Sequence, residues 1–361
     1  MSISSVKRVG VLTSGGDAPG LNAAIRGLCL TGIKKYGMKF VGILDGYKGF
    51  EQGRCIDLNI ENIDSILSVG GTLLGSAREK PFKNKEKIKE TGLSAIESIK
   101  KHYKDWKLDA VVVLGGNGSN TTAGFLSNAG LNVIGLPKTI DNDIVHTDYT
   151  FGFSTAVECA TECIERIKTT AFSHSRVMVV EVMGHKVGWI ALHSGIASGA
   201  DVILLPEIPY QKEIVAKKIL ENAKVGKKYS IVVVSEGAQD TNESKLDKKA
   251  FKKVRSSMGC SIGERVAKEI ENETGLETRV TVLGHLQRGG SPNPYDRFMA
   301  THFGATACDY IYKKEFGKIL VWQNNSIKAI PLELVSGQTK KIPFDCDMIQ
   351  TAKNIGISFG G

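Results

Sequence analysis

Three carboxylates, Asp141, Asp143 and Asp148, crowd the stretch GLPKTIDNDIVHTD at 135–148, together with Lys138 and Thr139. Directly before them, the small and apolar residues at 131–136 predict a buried strand. Asp and Asn beside a proline are ordinary turn formers. A carboxylate cluster just past the carboxyl end of an open-sheet strand, however, lies where α/β folds place their ligand crevice. A lysine, a threonine hydroxyl and two close aspartates can handle phosphate, magnesium and a sugar hydroxyl together.

Three other stretches add to that chemistry. In VGVLTSGGDAPGLNAAIRG at 9–27 a strand ends in a Ser-Gly-Gly turn and a helix is predicted just after Pro19. Backbone amides and a helix amino terminus then converge on one spot, an arrangement that binds anions. The stretch is neither a Walker A loop nor GxGxxG, and taken alone a tight strand-to-helix turn explains it equally well. In GGTLLGSAREKPF at 70–82 a short polar loop delivers Arg78, the side chain best shaped to fork onto phosphate oxygens. A lone loop arginine is more often a surface charge. In VVVLGGNGSNTTAG at 111–124 a buried strand runs into a second glycine-rich cradle with Asn117 and Ser119 as polar tips. Two cradles and a carboxylate loop, each following a strand, point to phosphoryl chemistry rather than packing alone.

The elements that must position these loops follow an alternating pattern. Strands are predicted near 8–12, 39–44, 110–114, 132–136, 176–182, 202–205, 230–235 and 279–283, with helices over 21–36, 92–104, 154–170, 212–223 and 261–274 among them. Such alternation signals an α/β fold with parallel sheets covered on both faces. Eight strands exceed one modest sheet, so a split near residue 150 is expected, with the piece after Gln287 crossing back to the first domain. A chain of 361 residues is long enough for this arrangement.

Composition narrows the partners. The net charge of +9 suits small phosphorylated substrates. The lysine-rich run at 80–107 reads as a solvated helix face; it lacks interleaved aromatics and any nucleic-acid motif, so no nucleic acid is expected. Seven cysteines form no CxxC pair and have no histidine at zinc spacing; Cys159 and Cys163 share a helix face, but two thiols are not a metal site. Free thiols fit a reducing cytosol. The amino-terminal residues show no signal-peptide pattern and no apolar run is long enough for a bilayer, so a cytoplasmic protein without a membrane partner is expected.

From Val9 to about Asp309 the motifs GVLTSGGDAPGLNAAIRG, GGTLLGSAR, GGNGS, PKTIDND, FGFSTA, SHSRVMVVEVMGHKVG, SEG and TRVTVLGHLQRGGSPNPYDR follow in order. In this the chain resembles the bacterial-type 6-phosphofructokinase family. The resemblance implies two Rossmann-like three-layer α/β domains with mostly parallel sheets and an inter-domain active-site cleft. Residues 1–150 plus 288–337 would bind the phosphoryl donor, and 151–287 plus 338–361 fructose 6-phosphate. It implies a homotetramer, or a homodimer, in which neighbouring subunits complete the sugar-phosphate site.

The implied reaction is transfer from ATP to the 1-hydroxyl of fructose 6-phosphate, with Mg2+. Asp141 would be the base, Thr139 would hydrogen-bond the transferring group, and Asp143 with Asn117 would serve the metal. Gly15, Tyr47, Arg78, Gly116, Asn117, Gly118, Ser119 and Lys138 would form the donor site. Arg176 and Arg279, reaching in from a neighbouring subunit, would hold the sugar phosphate with His285 and Arg288. Met183, Gly184, His185 and Glu236 would shape the sugar pocket.

Several positions depart from the typical pattern. Asn117 stands where many members have a magnesium-holding Asp, and a neutral amide is the weaker oxygen ligand. Gly118 is small, as in ATP users, whereas Lys138 matches pyrophosphate users; the pairing resembles the mixed-substrate subgroup. Thr122 replaces a glycine and His185 an arginine, while Leu30 and Ile60 replace effector-binding arginines. ATP is the expected donor. The alternatives are a pyrophosphate-dependent phosphotransferase and, from a different class, a non-catalytic sugar-phosphate-binding regulatory subunit, which Asn117 would permit. A dinucleotide-dependent oxidoreductase would need GxGxxG with an acidic residue about twenty positions on, and neither cradle supplies it.

Overall fold

The chain alternates strand and helix almost without interruption, as its apolar runs and glycine-rich turns require. The computed structural model describes residues 6–82 and 92–361; the remainder of the lysine-rich run and the first five residues lie outside them. The first stretch carries β1 (Arg8–Ser14), α1 (Leu21–Tyr36), β2 (Lys39–Ile43), α2 (Gly46–Gln52), β3 (Cys55–Leu58) and α3 (Ile60–Ile63). After these come α4 (Ala95–Asp105), β4 (Ala110–Gly115), α5 (Asn117–Asn128), β5 (Val133–Pro137) and α6 (Phe153–His174). The middle stretch carries β6 (Val177–Val182), α7 (Trp189–Ala197), β7 (Val202–Leu204), α8 (Lys212–Lys224) and β8 (Ser230–Ser235). It continues through α9 (Lys248–Ser257), α10 (Ile262–Thr274) and β9 (Thr278–Val282). Last come α11 (Pro294–Tyr312), β10 (Lys318–Gln323), β11 (Ser326–Pro331) and α12 (Asp347–Asn354).

These elements form two compact units. One holds the chain up to Thr155 together with Arg288–Lys340, the other Ala156–Gln287 with Lys341–Gly361. The first unit is built on a seven-stranded sheet of order β11-β10-β5-β4-β1-β2-β3, parallel except for the antiparallel pairs β2/β3 and β10/β11 at its two edges. Its central strands are buried on both faces; all six residues of β4, AVVVLG, are buried, which is why they read as an unbroken apolar run. Along β1, Val9 and Val11 join the core against α1 and α11, while Leu12 joins the one containing Tyr47 and Phe50. Helices α1 and α11 approach closely because two glycines meet backbone: a Cβ on Gly27 would lie 2.5 Å from the Thr301 carbonyl oxygen, and one on Gly304 2.2 Å from that of Ala24.

The second unit has a four-stranded, wholly parallel sheet of order β7-β8-β6-β9. Glu181 of β6 is almost buried and accepts a bond from the Gly263 amide at 2.7 Å, satisfying an amino-terminal donor of α10. The same helix opens on a Ser261–Glu264 capping box, and α4 on a Ser94–Glu97 box. That cap starts α4 at Ala95 rather than at the expected position 92.

Sequence periodicity predicts eight strands, and the described residues contain eleven. The additions are β3, β10 and β11. Edge strands β3 and β11 are half exposed, with burial alternating or weak along their length, so no continuous apolar run announces them. No described helix is long and apolar enough to cross a membrane.

Candidate active site

In the first unit three of the sequence-predicted loops meet at the end of β1. Gly15 adopts φ +90°, a conformation that favours glycine. Its amide donates to the Ala77 carbonyl at 3.0 Å, and the Ser76 hydroxyl donates to the Gly15 carbonyl at 2.6 Å. This pairing fixes the segment that presents the exposed Arg78. A Cβ built on Gly15 would lie 3.3 Å from Ser119 Oγ and 3.6 Å from Lys138 Nζ. One on Gly16 would come within 2.6 Å of the Arg288 guanidinium, whose Nη1 donates to the Asp17 carbonyl at 2.8 Å. The arginine expected at the sugar phosphate therefore packs on the first glycine turn of its own unit.

The second cradle is the amino terminus of α5. Gly116 precedes the helix without a side-chain cap, and the first turn carries no acidic residue, leaving the amides of that turn available to an anion. Gly118 faces open space, with nothing within 4 Å of its Cβ position. Ser119, expected as a polar tip, is instead buried and donates to Ser14 Oγ at 3.0 Å. Thr122 is also buried, its hydroxyl turned back to the Gly118 carbonyl at 3.2 Å. Tyr47, expected in the donor site, lies beneath it. Its side chain is fully buried, and its hydroxyl donates to the Ser119 carbonyl at 2.8 Å. It supports the cradle from beneath.

The carboxylate loop leaves β5 at Pro137. Lys138 is only 2 % exposed and its Nζ donates to the Gly16 carbonyl, tying this loop to the first turn. Burial, aided by the charge of Arg288, lowers its pKa to about 8, while Asp17, Asp141 and Asp143 oppose that fall. The Asp141 amide donates to Thr139 Oγ1 at 3.1 Å, and the Thr150 hydroxyl donates to the Thr139 carbonyl at 2.7 Å. Between the two aspartates, Asn142 is buried at φ 52°, a conformation asparagine tolerates. Its amide side chain bridges the Asp148 carbonyl and the Thr150 amide.

Asp148 does not join Asp141 and Asp143 in one cluster. It is exposed, its carboxylate accepts from the Asn324 amide at 3.1 Å, and its own amide donates to the Trp322 carbonyl at 2.8 Å, so it belongs to the β10–β11 hairpin. In contrast, Lys340, unmarked by any motif in QTKKIPF, does reach the loop. Its amide donates to the Asp143 carbonyl and its Nζ to the Thr147 and Asp148 carbonyls, each at 2.8 Å. Burial lowers its pKa to about 8 as well, against the pull of Asp148 and Asp143.

The second unit gathers its predicted residues at two ends of β6. At the carboxyl end the Met183 amide donates to Gln287 Oε1 at 3.2 Å, and Gly184 donates to Glu236 Oε1 at 3.4 Å. Gly184 must be glycine: φ is +132° and a Cβ would lie 2.6 Å from the Val187 carbonyl oxygen. His185 and His285 are exposed.

At the amino end Arg176 stands just before β6, and Arg279 lies beside it on β9, where Met178 pairs with Arg279. Glu277 bonds both guanidinium groups, at 2.8 Å to Arg176, and these arginines hold its carboxyl below the usual range, Arg176 foremost. A cavity of about 400 Å³ lies beside Arg176, lined also by Lys227, Lys228 and Tyr229. The six residues of β6 span roughly 20 Å. The arginines and the Met183–Gly184–Glu236 group therefore stand at opposite ends of this strand.

No group of three or more His, Cys, Asp or Glu side chains among the described residues is placed to hold a metal. Magnesium does not need one, since it commonly binds through one or two carboxylates, waters and the phosphates of its substrate. Asp141 and Asp143 suit that mode, and Asn117, whose amide nitrogen donates to the Gln338 carbonyl, retains its oxygen as a ligand atom.

Comparison with known proteins agrees with this geometry. The family model described as Phosphofructokinase matches residues 8–311. The ATP-dependent 6-phosphofructokinase of Spirochaeta thermophila is 50% identical over 99% of this chain and 98% of its own. ATP-dependent 6-phosphofructokinase 3 of Bacteroides thetaiotaomicron is 45% identical over 98% of this chain and 100% of its own. Among solved structures, Pichia pastoris phosphofructokinase in the T-state superposes with a TM-score of 0.80 at 34% identity, covering 92% of this chain but 35% of that longer one. The pyrophosphate-dependent phosphofructokinase of Nitrosospira multiformis shares the fold, with a TM-score of 0.82 at 22% identity over 97% of this chain and 91% of its own.

Proposed function

This chain belongs to the phosphofructokinase family, and we propose that it transfers the terminal phosphoryl group of ATP to the 1-hydroxyl of fructose 6-phosphate. The observation that carries the reading is the meeting of Ser119 and Lys138 at Gly15, which brings two glycine-rich anion cradles and the start of the carboxylate loop to one place. The first unit is the donor half and the second the sugar-phosphate half.

The amides at the start of α5, the Gly15 turn and Arg78 bind the donor phosphates. Asp143 and Asn117 would hold magnesium, which supplies neutralisation of charge on the donor phosphate oxygens. Thr139 donates to the transferring group, and Asp141 accepts the proton of the sugar 1-hydroxyl. As the O1–P bond forms, the bond from that phosphorus to the bridging oxygen breaks, and ADP leaves with the electron pair. In such a loose transition state there is little covalent work for the protein, so the base acts mainly through its position.

Met183, Gly184 and Glu236 bind the sugar. Arg176 and Arg279 bind its phosphate in the site of a neighbouring chain, a placement supported by their standing at the opposite end of β6 from Met183. Arg288 serves the first unit's turn and bears on the sugar phosphate from there. The reading carries with it an assembly of four chains, or two, and a cytoplasmic setting.

Pyrophosphate is the competing donor, and Lys138 is the residue in its favour. The open surroundings of Gly118 favour the bulkier nucleotide, and Lys138 points its ammonium at the Gly16 carbonyl. The decisive assay is formation of fructose 1,6-bisphosphate by purified protein with magnesium, comparing ATP and pyrophosphate side by side. ATP preference is expected. Pyrophosphate preference would transfer donor choice to Lys138, and inactivity with both would revive a silent sugar-phosphate-binding subunit.

A further inference from the structure

The residues at 337–340 lie past the segment that the family model matches, which ends at 311. They nevertheless touch both loops on which the chemistry depends. Upstream, Leu332 and Val335 are buried in the core of the first unit and anchor the strap. The Gly337 amide donates to Thr121 Oγ1 at 3.4 Å, and the Gln338 carbonyl accepts from the Asn117 side chain, so the strap crosses the first turn of α5. Two residues on, Lys340 donates from its amide to the Asp143 carbonyl and from Nζ to the Thr147 and Asp148 carbonyls. Four main-chain residues thus span the gap between the donor helix and the carboxylate loop. The chain then leaves the unit, since Lys341 belongs to the other.

We propose that this strap is a working part of the donor site, with Lys340 as a positioning residue that holds the Asp141–Asp143 loop in register with the amino end of α5. The inference rests on the functional reading above. A stability role alone is a poor account of Lys340. An ammonium partly withdrawn from water onto carbonyls carries some desolvation penalty that an apolar side chain of similar length would not. Three bonds from one residue to three carbonyls of the loop fix its path instead. Phosphoryl transfer is sensitive to that path, because a misplacement of about 1 Å costs on the order of 100-fold in rate.

The test uses the full-length enzyme and the variants Lys340→Met, Lys340→Gln and Lys340→Arg. Steady-state rates with ATP, magnesium and fructose 6-phosphate are measured beside equilibrium binding of fructose 6-phosphate and thermal melting. Lys340→Met should lower kcat by ~10–100-fold and raise the magnesium and ATP concentrations needed for half-maximal rate. Binding of fructose 6-phosphate should stay within twofold of the parent. Lys340→Arg, which keeps the charge and several donors, should recover most of the rate. Where Lys340→Met fails to fold, Lys340→Gln is read by the same criteria.

A folded, apolar or neutral variant with kcat within twofold of the parent overturns the proposal. So does equal loss by all three variants together with loss of sugar-phosphate binding, the mark of a general structural defect. A parent enzyme inactive with both donors sinks the functional reading and this one with it. An active parent with an unaffected Lys340→Met sinks only the positioning role.

Discussion

In the first unit the buried Lys138 and the half-buried Lys340 direct their ammonium groups at main-chain carbonyls of the loops they tie together. In the second, Arg255 and Arg265 converge on the buried carboxylate of Glu243 at 3.0 and 2.8 Å, and Lys227 meets the equally buried Asp201. A carbonyl orients a cation without cancelling its charge, whereas a carboxylate cancels it. The first unit therefore uses these cations to tie loops together through carbonyls, with Asp17, Asp141, Asp143 and Asp148 also acting on their charge. The second uses its buried charges to hold its own segments together, and the half-buried Arg176 and the exposed Arg279 share Glu277 as their partner.

The sharpest way to break this division is Asp141→Ser. If the first unit carries the chemistry, kcat should fall ~10²–10⁴-fold while fructose 6-phosphate still binds, as read by steady-state kinetics and equilibrium binding; retained turnover would remove the base from the scheme. Next in size, Glu243→Ala leaves two arginines of the second unit without their shared carboxylate. It should cost about 3–5 kcal/mol in denaturant unfolding and leave kcat of the folded fraction unaltered. A neutral effect on stability would show that the network is not structural.

The smallest effect concerns Lys138. Its folded pKa of about 8 lies below the ordinary 10.5. Between those values the unfolded chain binds more protons, so stability rises with pH from about 8 to 10.5, by up to ~3 kcal/mol for this group. Lys340, lowered to about 8 as well, adds a similar rise. Lys138→Met should be no less stable than the parent at pH 7 and should lose roughly half of that alkaline gain in pH-dependent melting. An unchanged profile would mean that Lys138 is not a buried charge.

Much of this was legible in the chain itself, and the reasons differ by region. Strands such as β4 and β8 are buried on both faces, so their apolar runs are continuous and their ends fall at the glycine turns. Loop chemistry was legible where residue type is demanded by backbone geometry, as at Gly15 and Gly184. What stayed hidden depends on partners far away in sequence. Tyr47 looks like a ligand contact until its hydroxyl is found on the Ser119 carbonyl. Asp148 counts as a third site carboxylate until β10 and β11 are seen to claim it. Lys340 carries no local signal, because its proposed role exists only where the tail crosses two loops about two hundred residues upstream.

Strand β6 has a consequence for the enzyme as a population of molecules. Under the proposed assignment, with sugar-binding residues at one end and phosphate-binding arginines at the other, a solitary chain would own two half-sites and no whole one. Dilution would then act as an inhibitor, since each dissociation event would erase sites without altering a residue. Defects would likewise become shared property: a lesion at Arg176 would disable a healthy neighbour's site, while two chains damaged at opposite ends of the strand could between them rebuild an intact one.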